Sequence, residues 1–510
     1  MPRPRLGTGS STRPRFLASR KADALVFGGA VAAFVASYLA YFPKMYQTDD
    51  DASYLAQAYA LRHGHMTLDS LNQSVVQSFV VDHHLVSQYP PGMPALLAAA
   101  SLFGWTAAIG VNLVVVLATT ALVAYLLRHQ QLPTVFAVLY LLYPTTVLFS
   151  RTVMSDLLSG LLVAAAFVAV IKKKPVAVGL ILGAAVLVRS ANALACVTIP
   201  AGVIFDMWRQ EDSGRRMDAA LRWLGGFAAG VAPGAVLAAV AYYVVGGGEY
   251  FKYAGTFALR YVPHHLPLLA GVLMLMYPLM LLAPLVARSP VRTPVVLTCY
   301  GFLLLYSAWF YESKGSTSAQ TVVLSQRFLL VVLPLFVVAY AGALRALAER
   351  LRLQRVRPLW REGVAALAAV LLVIGSVIVQ RSDQAHTVSL ADTRSALLSF
   401  VSPHDLLVCD KEVAKLFLPQ WGSRDIYIID TQPASEVRRY IGSWIATKAG
   451  SDGRVVVADW ANGGLGSSTG GERSATSLVA SLFPTVALKE TLRGLPSGVQ
   501  LLLVSASRKP

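Results

Sequence analysis

The chain carries a succession of apolar segments that are long enough, or nearly so, to cross a lipid bilayer, which requires about 20 residues. Of its 510 residues, 55% are hydrophobic and 14% are charged, and the mean hydropathy is +0.56. This composition is typical of a polytopic α-helical membrane protein. We predict about 11 transmembrane helices, at residues 24–43, 107–127, 133–149, 153–171, 176–188, 191–205, 222–245, 266–285, 293–310, 328–344 and 363–379.

Basic residues are concentrated on alternate loops between these spans. One side of the membrane holds 22 Lys and Arg residues, and the other side holds eight before residue 381. The positive-inside rule therefore places the basic tail, residues 1–23, in the cytoplasm. We expect the membrane to be the inner (plasma) membrane of the cell. The net charge of +17 reflects this topology and does not indicate nucleic-acid binding. The short apolar segment 92–104 is predicted to be an interfacial or re-entrant helix.

We expect the membrane domain to occupy residues 24–380, with its first external loop at 44–91. An odd number of spans then places residues 381–510 outside the cytoplasm. This tail has short β-rich runs at 405–409, 425–430, 454–458 and 498–504, with helical stretches near 390–401 and 434–448. Such alternation predicts a small extracytoplasmic α/β domain with a partly parallel sheet.

Three consecutive aspartates, Asp49, Asp50 and Asp51, follow the first apolar span. Asp50 and Tyr54 are four residues apart, so we expect the aspartates to begin a short helix at the membrane surface. A carboxylate there can act as a general base on an acceptor hydroxyl or amine. The alternative is an acidic first turn that is favoured by the helix dipole.

A second acidic residue, Asp156, lies in another predicted external loop and could join the site or cap the next helix. Arg189 and Arg327 lie at the outer ends of spans, and Arg260 is a weaker candidate of the same kind. Arginine there is either an interfacial anchor or a bidentate ligand for phosphate.

Histidine pairs are a further feature of the external loops. His83 and His84, with a second pair at His264 and His265, could bind a metal, but neighbouring histidines chelate poorly and no known metal motif is present. Solvated loop histidines are the alternative. Asp49 and Asp51 could hold a divalent ion together with donor phosphates, although we do not favour a metal or any other cofactor.

Several motifs occur in the order found in GT-C membrane glycosyltransferases. They are Asp50-Asp51-Ala-Ser-Tyr54 followed by Gly64, Tyr89-Pro-Pro-Gly92, Tyr143-Pro144 with Arg151 to Asp156, Gly179-x-x-x-Gly183 with Arg189, and Arg327-Phe328 with Pro334. Over about residues 20–345 the chain resembles glycosyltransferase family 39, which contains protein O-mannosyltransferases and the lipid A aminoarabinose transferase.

The resemblance implies an inverting enzyme that uses a polyprenyl-phosphate-linked sugar on the extracytoplasmic face. By this resemblance Asp50 would be the base, with Asp51 beside it, and Asp156 would orient the acceptor. Arg327 and Arg189 would hold the lipid phosphate. Tyr89 stands where many members have a lysine that touches the phosphate. In this chain Tyr89, Gln88 or an arginine would make that phosphate contact instead. Tyr54 and the histidines His83 and His84 complete the predicted substrate site.

The predicted function is therefore transfer of a sugar from a polyprenyl-phosphate donor to an envelope glycan, lipid or protein. A lipid-linked glycan flippase or transporter is one alternative, and it predicts charged residues near the membrane midplane. An O-antigen polymerase or ligase is another, and it would place its key arginines and histidine in large late loops.

Overall fold

The computed structural model describes residues 20–68, 77–210, 216–249, 257–287, 289, 291–309, 326–351, 358–418, 425–429, 434–448, 454–460, 478–479, 482, 488–489 and 499–504. Most of the predicted basic tail lies outside these residues. The first helix begins at Arg20, four residues before the predicted first span.

Helices make up most of the described chain before residue 401. In chain order they are α1 (Arg20–Ala40), α2 (Asp49–Arg62), α3 (Gly92–Ala100), α4 (Trp105–Ile109), α5 (Val111–His129), α6 (Ala137–Leu141), α7 (Pro144–Phe149), α8 (Asp156–Ile171), α9 (Pro175–Val188), α10 (Ala193–Gln210), α11 (Arg216–Ala239), α12 (Val262–Met276), α13 (Ala283–Val286), α14 (Arg292–Ser307), α15 (Leu333–Arg350) and α16 (Pro358–Phe400).

By length and composition, five of the described helical segments can cross a membrane, or six if one bent pair counts as a single span. The predicted count of 11 therefore remains a prediction. Several predicted spans are short or broken. Asp156–Ile171 and Pro175–Val188 have 16 and 14 residues, and the span predicted at 266–285 bends by 107° between its two parts. The segment predicted as interfacial is a short helix that ends in a 3₁₀ turn at Phe103.

The last apolar span and the helix predicted at 390–401 form one continuous helix, α16, of 43 residues. At 1.5 Å per residue it is about 65 Å long, twice the thickness of the hydrocarbon core of a bilayer. The domain boundary predicted at residue 381 thus falls inside a helix, because no proline or glycine follows Gly375 to interrupt it before Phe400.

Two sheets are present among the described residues. A hairpin in the first loop pairs β1 (Ser78–Val81) with β2 (His84–Ser87), and the sequence analysis missed it. After α16, strands β3 (Leu406–Cys409), β4 (Asp425–Ile428), β5 (Val455–Trp460), β6 (Leu488–Lys489) and β7 (Val499–Val504) form a sheet in the order β4-β3-β5-β7-β6. We call this the C-terminal sheet. Strand β3 is parallel to β4 and β5, whereas β7 is antiparallel to its neighbours, as expected for a partly parallel sheet.

Strand β3 of the C-terminal sheet is buried on both faces. Helix α17 (Lys411–Lys415) follows β3, and α18 (Ala434–Lys448) follows β4. One face, with Leu406 and Val408, packs against Val437 and Ile441 of α18. Alternate residues of the same strand point the other way, and they belong to the large hydrophobic cluster that contains the apolar helices. The C-terminal sheet and the helical part therefore share one core.

Helices α9 and α11 cross at glycines. A Cβ atom at Gly230 would lie 2.1 Å from the carbonyl oxygen of Val176, and one at Gly179 would lie 2.2 Å from that of Phe227. Glycines spaced by four residues let helix backbones meet, and this is how membrane helices associate in the absence of a hydrophobic driving force. The glycine-rich span noted in the sequence is thus a helix-packing surface.

This crossing predicts a large difference between two glycines of the same helix. Gly230→Ala should lower the free energy of unfolding by about 1–3 kcal/mol, because backbone atoms must move to admit the methyl group. Gly225→Ala should be neutral or slightly stabilising, because no atom lies within 4 Å of its added Cβ. Thermal unfolding of both variants in detergent tests this, and equal midpoints would contradict the close crossing.

Candidate active site

Asp50 lies in the first turn of α2, and both of its carboxylate oxygens are bonded. Oδ2 accepts a hydrogen bond from Nη1 of Arg327 at 2.9 Å. Oδ1 lies 2.6 Å from the Tyr89 hydroxyl and 3.1 Å from Nε2 of Gln77. The side chains of Asp50 and Arg327 remain 19% and 30% exposed, so the pair is held in place and still accessible. Burial and the Asp50 carboxylate raise the pKa of Tyr89 well above its usual range, so this hydroxyl remains a donor.

A second ion pair joins Asp156, the first residue of α8, to Arg189 at the end of α9. The Arg189 guanidinium carbon lies 5.6 Å from the centre of the Tyr306 ring and 5.3 Å from that of Phe328. The guanidinium carbon of Arg327 lies 4.8 Å from the same Phe328 ring. The two ion pairs are therefore neighbours that share an aromatic side chain.

Tyr54 connects the acidic first loop to the start of α8. Its hydroxyl is 2.8 Å from Oγ of Ser155, and its ring centre is 4.5 Å from that of Tyr89. We call the group Asp50, Tyr54, Tyr89, Asp156, Arg189 and Arg327 the paired-charge site. All six residues were predicted from the sequence as site residues.

Two glycines let the elements of the site approach one another. A Cβ at Gly160 in α8 would lie 2.6 Å from the carbonyl oxygen of Leu330, in the 3₁₀ segment Gln326–Val331 that carries Arg327. A Cβ at Gly92 would lie 2.7 Å from the backbone of Leu187, next to Arg189. Larger side chains at these positions would move the segments that hold the arginines and Tyr89.

Asp51 has a different role from Asp50, although the two are adjacent. Asp51 is fully buried. Its Oδ2 accepts from the backbone N–H groups of Gln47 and Thr48, and its Oδ1 accepts from that of Val153 at 2.9 Å. It forms a capping box with Thr48 and ties the first loop to the second. These contacts are all internal, so the structure gives Asp51 a capping role, and its predicted catalytic role stays a prediction.

The two predicted histidines lie at the turn of the hairpin, at the opposite end from the paired-charge site. His83 and Asp82 form the turn of the hairpin, with positive φ angles, and His84 follows it; all three are exposed. Gln77 and Tyr89 flank the open end of this hairpin and contact Asp50 there. The four residues of each strand separate this open end from the turn by about 13 Å. Arg260 is exposed and donates to the neighbouring Tyr261 hydroxyl at 2.9 Å. The hairpin therefore keeps the two histidines at the opposite end from Asp50, and their assignment to the substrate site stays a prediction.

Sequence reasoning missed residues that reach the two loops from far along the chain. Buried Arg151 pairs with Asp383 of α16, which also accepts from Nε2 of Gln47 at 2.7 Å. Lys415, in α17, pairs with Asp49. The motif around Arg151 was visible in the sequence, but no local signal identified its partner or singled out Lys415 and Gln77.

No group of three or more His, Cys, Asp or Glu residues is placed to hold a metal ion within the described part of the chain. The contacts of Asp49 and Asp51 also oppose the alternative in which the two hold a divalent ion between them. Asp51 is turned inward to backbone donors, whereas Asp49 faces Lys415.

The chain was compared with known proteins. No protein-family model matches it, and no curated protein sequence matches it significantly. The structure of ArnT from Cupriavidus metallidurans bound to undecaprenyl phosphate is similar, with a TM-score of 0.58 and 13% identity, and the match covers 96% of this chain and 99% of ArnT. The apo structure of that protein gives 0.55 and 14%, over 93% and 98% of the two chains. The chain has the GT-C fold.

A third similar structure is mycobacterial arabinofuranosyltransferase AftD, at 15% identity and a TM-score of 0.48, where the match covers 96% of this chain and 42% of AftD. That likeness is too distant to support an argument. The ArnT matches confirm the resemblance to GT-C membrane glycosyltransferases at the level of fold. At 13–14% identity they transfer no residue roles, so any role of the paired-charge site rests on its own geometry.

The contrast between the adjacent aspartates gives a stability prediction. Asp51→Asn replaces one acceptor oxygen by an NH₂ group that faces a backbone N–H, which should cost about 1–3 kcal/mol of unfolding free energy. Asp82→Asn in the exposed turn is the matched control, because asparagine accepts its positive φ. Thermal unfolding in detergent is the measurement, and equal midpoints for the two variants would contradict the buried role of Asp51.

This cost should also depend on pH. Burial raises the pKa of Asp51 from 3.8 to about 6, although hydrogen bonds from Val153 and Gln47 oppose the shift. Between about pH 4 and 6 the unfolded chain therefore loses this proton before the native protein does, and stability falls as the pH rises. The midpoint difference between wild type and Asp51→Asn should shrink from pH 4 to pH 7. A difference that grows over this window would refute the raised pKa.

Proposed function

We propose that this protein is an inverting glycosyltransferase that moves a sugar from a polyprenyl-phosphate-linked donor to a glycan, lipid or protein of the cell envelope. The reaction would take place on the extracytoplasmic face of the inner membrane. The observation that carries the proposal is the accessible Asp50 carboxylate, held by Tyr89, Gln77 and Arg327 beside a second acid–arginine pair.

Asp50 is suited to act as the general base. Three donors, two from the ends of the hairpin and one from the segment before α15, orient its carboxylate, and the side chain remains partly exposed. A base that is positioned in advance can take the acceptor proton as the new bond forms. Asp156 is held by Arg189 close by and would orient the acceptor.

Arg327 and Arg189 are suited to hold the donor phosphate. A guanidinium has five N–H donors, and Asp50 takes one from Nη1 of Arg327, which leaves others for a phosphate. Both arginines lie against aromatic rings, where water is scarce and charge–charge attraction is stronger. ArnT was solved with undecaprenyl phosphate bound, and we extend that class of lipid to this chain.

The proposed step balances without a cofactor. The acceptor oxygen or nitrogen attacks the anomeric carbon from the face opposite the phosphate, and its proton passes to Asp50. The bond between the anomeric carbon and the phosphate oxygen breaks, and polyprenyl phosphate leaves with its charge balanced by the two arginines. Attack from the opposite face inverts the configuration of the sugar.

The position of the charges favours this reaction over transport. A transporter is expected to place ionisable residues near the membrane midplane. Here Asp50 and Asp156 lie in the first turns of α2 and α8, and Arg189 directly follows α9. Charges at helix ends favour chemistry at a membrane face.

Replacement of the proposed base should stop transfer without loss of lipid binding. We expect Asp50→Asn to lower the rate of transfer at least about 100-fold, measured in membranes with a panel of undecaprenyl-phosphate hexoses and pentoses. Asp82→Asn, in the same loop, should transfer at the wild-type rate. Unchanged transfer by Asp50→Asn would refute the base assignment.

The proposed step needs no metal ion. Addition of EDTA should therefore leave the transfer rate of the wild-type protein unaffected.

Replacement of the proposed phosphate ligand should weaken lipid binding. Arg327→Gln should raise the dissociation constant for undecaprenyl phosphate about tenfold, because it removes a charge-assisted contact. Arg260→Gln, an exposed arginine paired with Tyr261, should change it less than about twofold. Titration of the purified variants in detergent distinguishes them. Equal affinities for the two variants would show that Arg327 does not hold the phosphate.

A further inference from the structure

Lys415, at the end of α17, contacts the acidic triplet of the first loop. Its Nζ lies 2.5 Å from Oδ1 of Asp49, the residue that precedes Asp50. The Lys415 side chain is 1% exposed and that of Asp49 is 41% exposed. Lysine is almost never fully buried unless it is paired, so this contact accounts for the placement of the Lys415 ammonium.

The backbone around Lys415 is held firmly. It ends α17, which begins directly after β3 and is capped by Asp410, whose Oδ1 accepts from the N–H of Val413 at 2.8 Å. Strand β3 is fully buried between β4 and β5. Phe417 and Leu418, which follow Lys415, are also buried in the core shared with the apolar helices.

A second contact joins the same two regions. The hydroxyl of buried Tyr46, three residues before Asp49, lies within hydrogen-bond distance of the carbonyl oxygens of Lys415 and Leu418. The start of the acidic loop is therefore bound in two ways. The Tyr46 hydroxyl contacts backbone carbonyl groups that belong to α17 and the residues after it, and the Asp49 carboxylate pairs with the Lys415 ammonium. Lys415 is presented to Asp49 by a rigid element.

Each carboxylate of the triplet is balanced from a different part of the chain. Asp49 is paired by Lys415, Asp50 by Arg327, and Asp51 by backbone N–H groups. Three like charges in one helical turn repel one another unless each is balanced. Loss of Lys415 would leave an unbalanced charge directly beside the proposed base.

We propose that Lys415 is a positioning residue, through which the C-terminal sheet holds the first turn of α2 so that Asp50 faces the acceptor. This inference rests on the proposed function. Arg327 and Arg189 lie on other segments, so the donor would still bind when Lys415 is replaced. A small displacement of a catalytic group lowers the rate of the chemical step far more than it lowers binding.

The test compares four purified variants in detergent. Lys415→Met should lower kcat about tenfold while KM for the undecaprenyl-phosphate sugar changes less than about twofold. Asp49→Asn added to Lys415→Met should restore part of the lost kcat, because no unbalanced charge remains. Asp49→Asn alone is the remaining member of this double-mutant cycle. Arg439→Met, which removes an exposed positive charge from the same region, should behave as wild type.

Two results would overturn the proposal. One is a wild-type kcat for Lys415→Met, and the other is a further fall in kcat when Asp49→Asn is added to it. A general loss of packing would move kcat and KM together and would not be relieved by a second substitution.

The ion pair can also be tested without activity. The thermal midpoint of the double variant should be no lower than that of the less stable single variant, because the two changes remove one interaction. Additive losses would refute the pairing of Lys415 with Asp49. If wild type transfers no sugar but the midpoints are coupled, the proposed function fails and the contact itself stands.

Discussion

The ion pair between Asp50 and Arg327 is the interaction around which the rest of the site is arranged. It joins residues 277 positions apart, one in the first loop and one in the segment before α15. Tyr89 and Gln77 bind the same carboxylate from the two ends of the hairpin segment. Gly160 in α8 and Gly92 allow close approach to the backbones of Leu330 and Leu187, near Arg327 and Arg189.

Charge balance explains how an acidic triplet can be retained beside apolar helices. Neighbouring carboxylates that lack partners are costly at low dielectric. The chain meets this cost by three different means, which are a lysine from α17, an arginine from a late segment and a set of backbone donors. The three aspartates consequently have three roles. Only Asp50 combines oriented contacts with an arginine of the paired-charge site.

The sequence indicates candidate site residues where the chemistry of a residue and its place beside an apolar run restrict the options. Asp50, Asp156, Arg189 and Arg327 were identified because charged residues at helix ends are few in an apolar chain. The sequence does not separate Asp51 from Asp50, because a capping carboxylate and a catalytic carboxylate are the same residue type; the structure shows Asp51 bonded to backbone N–H groups. Nor does the sequence show that His83 and His84 lie at the turn of a hairpin, because the composition of the loop is the same with or without it.

The sequence by itself determined the membrane character, the positions of most helices, four of the strands in the C-terminal sheet and most of the charged residues of the site. These properties depend on hydropathy, periodicity and residue chemistry, which act over short distances along the chain. Only the tertiary structure decided which carboxylate meets which cation, and it alone brought Lys415 to Asp49 and Asp383 to Arg151. Such pairs depend on how helices cross and bend, and close packing of distant segments leaves no local pattern that would identify the partner.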